Sequence, residues 1–534
     1  MNALKILRIG FFLAALLLLS AAGAESVAGG KSFYEMRREG SHALDNWDLA
    51  RADRISAELI EKAEGEDETN AAHGFRALYC FYEGDYECSK QQLAKIPPGE
   101  TNVGHVRFLR QRVDTLARVW GDAPQESSEH FILKYADPED KVLAGPALET
   151  LEKAYDSLTQ DIGVKPDKPV LVEIYPTFDD FSAATGLSEE DLENSGTIAV
   201  CKYRRLMVNS PRILVRGYSY RDTLSHELVH FLIYQRFGDK IPIWLHEGIA
   251  KYMELRWRED VGGHLLPTQK SVLASALEMD ELISFERMHP SFAKLKTPRQ
   301  GQLAFAEVTT VIDYMVKKGG WPLVFRLCEE MKNMNDWRGA IKRSTGMSFD
   351  EFWEAWVEHA RGLGYKELPG MEITVYEIKK GEDGYEESDT LEESEIEEKP
   401  EYKYARLGDL LRDRGHYQAA VLEYKKAHEM APYSIKVLNK LGLCYYLAGE
   451  YEESVGPLEK AIEIAPDYST SHVNLGRSLF KLEKYDKAKE VFEQVLEINP
   501  FNPIPYGYLI NIHEKEGDPK RIEKLKTDYK IISG

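Results

Sequence analysis

The stretch that decides the fold runs from Arg221 to Trp257 and reads RDTLSHELVHFLIYQRFGDKIPIWLHEGIAKYMELRW. It contains the pattern H-E-x-x-H, with His226 and His230 four residues apart. Histidines at this spacing project from one face of a helix, one turn apart, where two imidazole nitrogens can bind one tetrahedral zinc ion. Glu227 points about 100° around the helix and can lie beside the attacking water without being a metal ligand.

A carboxylate on the next predicted helix completes this group. Glu247 lies in the segment W-L-H-E-G-I-A-K-Y-M-E, which is entered through Gly238 and Pro242. Three protein ligands leave one position open on zinc, as in catalytic sites, whereas structural zinc sites use four ligands. The alternative is a surface helix with two solvated histidines. An apolar stripe argues against it, because the stripe places the helix in a core where polar groups need partners. The stripe consists of Leu224, Leu228, Phe231 and Leu232.

These residues resemble the gluzincin metallopeptidases of the thermolysin and aminopeptidase type, and more closely the bacterial proteins called peptidase MA-like. The resemblance rests on H-E-x-x-H followed, after a short turn, by a helix with E-G-x-A, and it covers residues 126–364. It implies an α+β thermolysin-like zincin domain, with a mixed sheet, active-site helices and a helical subdomain. It also implies that His226, His230 and Glu247 bind Zn²⁺ and that Glu227 is the general base that acts on a zinc-activated water.

The sequence departs from these families at several points. Many relatives carry Asn at the position of His246, and the G-x-M-E-N strand with which aminopeptidases anchor a free amine is absent. Gluzincins usually add a Tyr or His that stabilises the oxyanion, and no motif identifies this residue here. Tyr252, His264 and Tyr314 all remain candidates for that role.

Two further carboxylates have a spacing that could bring them next to a ligand histidine. Asp222 lies four residues before His226, and Glu254 lies seven residues after Glu247. Either could orient a ligand by accepting a hydrogen bond from its second ring nitrogen. Both could equally be solvated charges on the helix surface.

The segment before the active-site helix is predicted to form a sheet. Strands are predicted at His130–Tyr135 and Val170–Tyr175, around a helix over 144–163. A hairpin over Gly196–Cys201 and Leu206–Asn209 follows. In gluzincins the strand at this point offers its free edge to an extended substrate, and the alternative is an ordinary interior hairpin. Residues 284–364 are predicted to form the helical subdomain.

Length and charge limit the classes of function. A chain of 534 residues should hold three or four domains. The formal net charge of −21, without a basic cluster, argues against a nucleic-acid partner, because phosphate binding needs clustered Lys and Arg.

Residues 1–24 are predicted to be a signal peptide. Lys5 and Arg8 form its basic region, 9–19 its apolar region, and Ala22-Gly23-Ala24 fits a cleavage site. We therefore expect an exported protein, periplasmic or secreted, without a stable membrane span after cleavage. An uncleaved anchor is the alternative. Removing two positive charges changes the formal charge from −21 to −23.

Residues 25–120 are predicted to be a helical, tetratricopeptide-like region. Gly84 and Tyr86 match the turn of a tetratricopeptide (TPR) hairpin, and either a helical cap or a binding module fits this pattern. Cys80 and Cys88 flank that turn, and the sequence leaves open whether they form a disulfide or remain free thiols. The other cysteines read as buried thiols. They are Cys201, Cys328 and Cys444.

The C-terminal quarter of the chain is repetitive. Pairs of Leu and Gly recur every 34 residues, as do a Tyr and a Pro, and this period resembles TPR repeats. We expect an all-α TPR solenoid of three repeats and a partial fourth, which usually binds peptides or proteins on a concave face. The repeats are predicted at 402–435, 436–469, 470–503 and, partially, 504–534.

Residues 366–401 are predicted to be an acidic linker, because the run 382–398 is rich in Glu and Asp and lacks an apolar face. This predicts that 25–366 and 402–534 fold independently. Packing of the repeats against the catalytic domain is the alternative.

Two functions fit the sequence. The first is an exported zinc-dependent metallopeptidase with repeats that dock a peptide or protein substrate or a protein partner. The second is a non-catalytic TPR interaction or scaffold protein with a structural or vestigial zincin domain. Glu227 favours the enzyme, because zinc binding alone needs the three ligands and not the base.

Overall fold

The computed structural model describes residues 31–99, 105–258, 262–289, 291–292, 295–333, 336–373, 376–379 and 400–533. The predicted signal peptide and the acidic run 382–398 lie outside these ranges. Within the described ranges, no helix combines the length and the apolar character needed to cross a bilayer. The chain is mainly helical, with a small mixed sheet and helical repeats towards its C-terminal end.

The N-terminal region is helical, as predicted. Its helices are α1 (Phe33–Asp45), α2 (Leu49–Lys62), α3 (Gly65–Glu83), α4 (Tyr86–Leu93), α5 (Val106–Arg110) and α6 (Val113–Trp120). The turn from α3 to α4 passes through Gly84, whose φ is +77°, and the Asp85 side chain caps α4 by accepting a hydrogen bond from the Cys88 N–H. This turn brings the Cα atoms of Cys80 and Cys88 to 5.8 Å, and the two residues form a disulfide.

A mixed sheet follows the N-terminal helices. Its strands are β1 (Gln125–Ser127), β2 (Phe131–Tyr135), β3 (Val170–Tyr175), β4 (Ala199–Lys202) and β5 (Arg205–Asn209). Their order is β1-β2-β3-β5-β4, with parallel pairing between β2, β3 and β5 and antiparallel pairing at both edges. The predicted hairpin is confirmed as β4 and β5. Tyr203 and Arg204 form its two-residue turn with φ values of +54° and +60°. The hairpin leaves β4 at an edge of the sheet.

A buried ion pair joins the N-terminal helices to this sheet. Arg205 on β5 and Glu173 on β3 are fully buried, with 3.0 Å between Nη1 and Oε1. The Tyr86 hydroxyl lies within 3.0 Å of both carboxylate oxygens of Glu173. The Arg205 guanidinium also donates to the Phe81 and Tyr82 carbonyls at the C-terminal end of α3. The TPR-like region is therefore packed against the sheet as a helical cap.

Ten helices in the described residues build the rest of the domain, together with 3-10 turns at Pro138–Asp140, Pro211–Ile213 and Arg256–Arg258. The helices are α7 (Lys141–Ile162), α8 (Phe178–Thr185), α9 (Glu189–Ser195), α10 (Tyr220–Phe237), α11 (Ile243–Met253), α12 (Pro267–Met279), α13 (Phe285–Met288), α14 (Pro298–Asn333), α15 (Trp337–Thr345) and α16 (Phe349–Gly362). α14 is interrupted at Gly320, where φ is +67°. α10 packs on α7 and contacts β4 and β5, which places the H-E-x-x-H helix directly against the sheet.

The C-terminal region is a stack of helix pairs, as the 34-residue period predicts. Its helices are α17 (Pro400–Asp413), α18 (Tyr417–Met430), α19 (Ile435–Leu447), α20 (Tyr451–Ile464), α21 (Ser469–Lys481), α22 (Tyr485–Ile498), α23 (Ile504–Glu516) and α24 (Pro519–Ile532). The sequence predicts only a partial fourth repeat. The structure has a complete pair of helices there, α23 and α24, because Pro519 begins a last helix whose Leu525 is buried against the stack.

Independent folding of the two halves stays a prediction, but the described residues show the alternative arrangement, in which the two halves pack together. The segment 366–379 pairs with the domain that carries the sheet, since the Val215 N–H donates to the Glu377 carbonyl at 2.9 Å. The same segment reaches the repeats, where the Ser434 hydroxyl donates to Glu372 at 2.7 Å. The charge run suggested a solvated linker, but 366–379 precedes that run and carries apolar side chains that pack into the core, including Met371, Ile373, Tyr376 and Ile378.

The repeats also contact the sheet domain directly. The Tyr218 N–H donates to the Ile498 carbonyl at 3.0 Å, and the Ser469 hydroxyl donates to the Arg216 carbonyl at 2.8 Å. Gly217 lies between these contacts with a φ of +71°, and a Cβ there would lie 2.5 Å from the Ile498 carbonyl oxygen. Only glycine allows the two backbones to approach this closely.

We expect the two halves to stay together after the connection between them is cut. A specific protease site placed after Thr390 should yield two fragments that co-elute in size-exclusion chromatography, because the interface is independent of the acidic run. Gly217→Ala should weaken this association, since the new methyl group would collide with the Ile498 carbonyl. Gly415→Ala is the matched control, because Gly415 also has a positive φ but a Cβ at this position would meet no atom within 4 Å. Separate elution of the unmutated fragments would contradict this prediction.

Candidate metal centre

Helix α10 presents the two predicted ligand histidines from one face. Its apolar stripe is buried, as the sequence predicts, and fixes the rotation of the helix against the sheet. The helix ends at Gly238, and Pro242 precedes α11. His226 and His230 are therefore held one turn apart, and the direction of α11 is set by a short turn.

Helix α11 brings Glu247 to the histidines. Gly248, the next residue, faces α14, and a Cβ there would lie 2.9 Å from the Val308 carbonyl oxygen. The glycine of the E-G-x-A motif thus allows α11 and α14 to pack closely, while Glu247 points towards α10. This packing gives a physical reason for a glycine directly after the third ligand.

Three donor atoms meet between the two helices. The His226 and His230 Nε2 atoms are 3.1 Å apart, and they lie 3.4 and 3.5 Å from Oε2 of Glu247. Ligands of a tetrahedral zinc ion, each about 2.05 Å from the metal, are separated by about 3.3 Å. In the described part of the chain, this is the only group of three His, Cys, Asp or Glu side chains arranged so that it could hold a metal ion.

The charges of this group are strongly coupled. Burial alone lowers the pKa of His226, but hydrogen bonds with Glu247 and Glu254 raise it to about 10. Burial likewise disfavours the charged form of Glu247, yet His230 and His226 hold the pKa of this carboxyl well below its usual range. The cluster therefore favours positive charge, which a divalent cation would supply in place of the proton on His226.

Glu227 lies beside the donor atoms and is buried. Its carboxylate accepts a hydrogen bond from the backbone N–H of Cys201 in β4. Burial raises its pKa, although the two histidines act in the opposite direction. No group in the described residues donates a hydrogen bond to its Oε2 atom. A buried carboxylate oxygen without a donor is costly, and a water at a metal site would satisfy it.

The structure decides between the two carboxylates that the sequence left open. Oε2 of Glu254 lies 3.2 Å from Nδ1 of His226, and Lys251 binds the other oxygen of Glu254. Asp222 instead accepts hydrogen bonds from Trp257 and Arg258, at 2.9 and 3.1 Å. Glu254 therefore orients His226, whereas Asp222 anchors the turn after α11.

His246 contacts the second ligand histidine. The Nδ1 atoms of His246 and His230 are 2.6 Å apart, and burial together with the neighbouring His230 lowers the pKa of His246 to about 3. His246 is thus neutral at pH 7. If Nε2 of His230 binds a metal, Nδ1 of His230 carries the ring proton and can donate a hydrogen bond to Nδ1 of His246.

The three candidates for stabilising an oxyanion occupy different places. Tyr252, on α11, is largely buried and its ring packs edge-on against Trp321. Tyr314, on α14, packs against Phe352, and its hydroxyl accepts a hydrogen bond from Lys318. His264 follows α11 and is exposed. Its role, like that of the two tyrosines, stays a prediction.

The sequence did not predict one contact near the start of α10. The Tyr376 ring lies 6.2 Å from the ring of Tyr218, which precedes α10, and burial, with the charges of Asp467 and Glu254, raises the pKa of Tyr376 well above its ordinary value. No local pattern signals that Tyr376 packs there, because more than a hundred residues separate the two tyrosines.

Comparisons with known protein families match two regions of the chain. Residues 150–360 match the Peptidase MA superfamily, and residues 433–500 match the tetratricopeptide repeat. The chain carries a Peptidase MA superfamily domain. All four predicted site residues, Glu227 and the three candidate ligands, lie within the matched range of this domain. No curated protein compared with the chain matches it.

Solved structures of TPR domains are among those similar to part of this chain. The first TPR of Spaghetti (RPAP3) bound to an HSP90 peptide shares 21% identity over 22% of this chain and 94% of its own, with a TM-score of 0.22. MamA shares 21% over 26% of this chain and 80% of its own, with a TM-score of 0.23. The Sgt2 TPR domain from Aspergillus fumigatus shares 24% sequence identity over 25% of this chain and 86% of its own, with a TM-score of 0.22.

We expect Glu254, and not Asp222, to support metal binding by the Peptidase MA domain. Glu254→Ala should lower the affinity for Zn²⁺ by roughly tenfold or more, because His226 loses the acceptor that orients its ring. Asp222→Ala is the control and should leave the affinity nearly unchanged. Titration against a chromogenic chelator measures both. Equal losses in the two variants would rule out this role for Glu254.

Proposed function

We propose that this protein is an exported zinc-dependent metallopeptidase that hydrolyses peptide bonds and carries repeats for protein docking. One observation carries the proposal: three donor atoms meet within 3.5 Å of one another beside a buried glutamate. The position of this group inside a Peptidase MA superfamily domain supports the same reaction class.

The donor set fits Zn²⁺ in kind and in spacing. Two imidazole nitrogens and one carboxylate oxygen leave a fourth position open, as catalytic zinc sites require. His226, His230 and Glu247 would hold the ion. When bound here, Zn²⁺ would supply Lewis acidity that lowers the pKa of a water and polarises a scissile carbonyl.

Glu227 is placed to move the proton. It takes a proton from the attacking water and returns it to the leaving amine. Its raised pKa brings the carboxylate closer to the range in which proton transfer is efficient at neutral pH. The Cys201 N–H holds one part of the carboxylate in place, and the oxygen without a protein donor is free to accept the proton.

We propose a thermolysin-like arrangement for the domain. β4 lies at the sheet edge next to α10, and an extended peptide can add to such an edge through main-chain hydrogen bonds. The Cys201 N–H contact joins this strand to Glu227. A peptide paired with β4 would therefore run past the general base, and the helical subdomain over 284–364 would form the opposite wall of the cleft.

Export and docking complete the proposal. The basic and apolar composition of residues 1–24 supports delivery to the periplasm or the cell exterior. The Cys80–Cys88 disulfide fits an oxidising compartment. TPR repeats bind peptides or proteins, and the net charge of −21 disfavours nucleic acid as a partner.

The first test is metal content. Mature protein should bind one Zn²⁺ per chain, measured by elemental analysis after dialysis against buffer with trace zinc. His230→Ala and Glu247→Ala should each lose the metal, because two ligands do not hold zinc tightly. Full zinc content in both variants would place the metal elsewhere and overturn the assignment of ligands.

The second test separates an enzyme from a scaffold with a vestigial site. Glu227→Gln keeps the size of the side chain but removes the base, so zinc content should be unchanged while peptide cleavage falls on the order of 100-fold or more. Cleavage is measured with a quenched fluorescent peptide library. Activity equal to that of the unmutated protein would reject Glu227 as the base, and the absence of cleavage by zinc-loaded protein would favour the scaffold.

A further inference from the structure

The first repeat differs from the other three at two positions of its first helix. Leu407 is 44% exposed, whereas its equivalents in the next three repeats, Leu441, Leu475 and Leu509, are 3, 4 and 0% exposed. The same holds one turn later. Leu410 is 48% exposed, and its equivalents Cys444, Ser478 and Ile512 are exposed by 1% or less. The first repeat thus exposes two leucines at positions that every later repeat buries.

The later repeats show what covers these positions. Leu441 and Cys444 on α19 pack against Val421 and Tyr424 on α18, the second helix of the preceding repeat. In the same way, α20 covers Leu475 with Leu458. The last repeat is covered by α22 of the third repeat. Phe492 on α22 packs in one cluster with Leu509 and Ile512, and its ring stacks on Tyr508 with 4.8 Å between centroids. Each cover is an amphipathic helix.

We propose that the exposed face of α17, which includes Leu407 and Leu410, is a docking site for an amphipathic helix of a partner protein. The partner would take the place that α18, α20 and α22 take on the later repeats, so the interface within the chain specifies the occupant. Lys403, Leu407, Leu410 and Arg414 follow one another at helical spacing on α17 and the turn after it, and all are exposed. Two cations at the ends of a leucine pair fit a partner helix with an apolar stripe and acidic flanks.

The same charges argue against a second copy of this chain as the occupant. Antiparallel pairing of two α17 helices would place Lys403 of one copy near Arg414 of the other, and like charges at close range repel. The acidic run 382–398 matches in charge but has only Tyr385, Leu391 and Ile396 as large apolar residues, without a helical stripe. A second copy lacks the complementary charge and the acidic run lacks the apolar stripe, whereas a partner helix can have both.

The probe is a peptide with the sequence of α22, YDKAKEVFEQVLEI, labelled with a fluorophore. It covers the equivalent face of the fourth repeat, contains no Gly or Pro, and carries four acidic and two basic side chains. Fluorescence anisotropy with the full-length mature protein should show saturable binding that weakens with added salt. Leu407→Asp and Leu410→Asp, tested separately, should each weaken binding at least tenfold, while circular dichroism stays unchanged.

Two matched controls accompany this experiment. Leu422→Asp should bind like the unmutated protein, because Leu422 is exposed but its equivalents Gly456 and Glu490 are also exposed in later repeats. A peptide with Phe492→Ser and Leu496→Ser keeps the charges and should not bind. No binding by the unmutated protein, or binding unchanged in both leucine variants, overturns the proposal. Binding only after deletion of the acidic run 382–398 also overturns it in favour of the chain's own segment. A dimer in sedimentation analysis that Leu407→Asp dissociates overturns it in favour of a second copy.

Discussion

Two imidazole nitrogens and a carboxylate oxygen meet within 3.5 Å in a largely enclosed space, and this contact constrains the elements around it. Such a cluster is stable only if the helices that carry it cannot move apart, because buried charges need close partners. The apolar stripe of α10 fixes one side against the sheet, and Gly248 lets α11 pack onto α14 on the other. The mixed sheet and the helical subdomain thus act together as the support of one small site.

A buried ion pair joins the N-terminal helices to the sheet. Arg205 and Glu173 lie on neighbouring strands and are fully enclosed by the N-terminal helices, whose carbonyls accept further hydrogen bonds from the guanidinium. Removing one partner would leave an uncompensated charge in the core, which typically costs about 3 to 5 kcal/mol. The TPR-like helices therefore complete the core of the sheet domain. This role in the fold explains why a TPR-like helical hairpin, α3 and α4, occurs in the N-terminal region, far along the chain from the C-terminal repeats.

The C-terminal repeats are attached to the domain just before the H-E-x-x-H helix. Arg216 and Gly217 precede α10 and contact the repeats through Ser469 at the start of α21 and Ile498 at the end of α22. Tyr376, from the segment after the helical subdomain, packs near Tyr218 at the same place. The described contacts therefore join the repeats to the residues directly before the helix that carries the candidate ligand histidines.

Local patterns in the sequence predicted the candidate ligands, the candidate base and the repeats. H-E-x-x-H and E-G-x-A carry their own geometry, because spacing along a helix fixes which side chains share a face. The 34-residue period fixes a helix pair in the same way, and the alternation of apolar residues identified the strands. These features depend on neighbours a few residues apart, so a single sequence is enough to read them.

Contacts between distant parts of the chain were decided only by the tertiary structure. The sequence offered Asp222 and Glu254 equally as the partner of His226, and the path of the chain after α11 selected Glu254. Composition suggested a solvated linker over 366–401, yet its first part packs against both halves of the protein. The Cys80–Cys88 bond likewise depended on how tightly α3 turns into α4. Such contacts follow from the packing of whole elements, whose distances and directions no local pattern records.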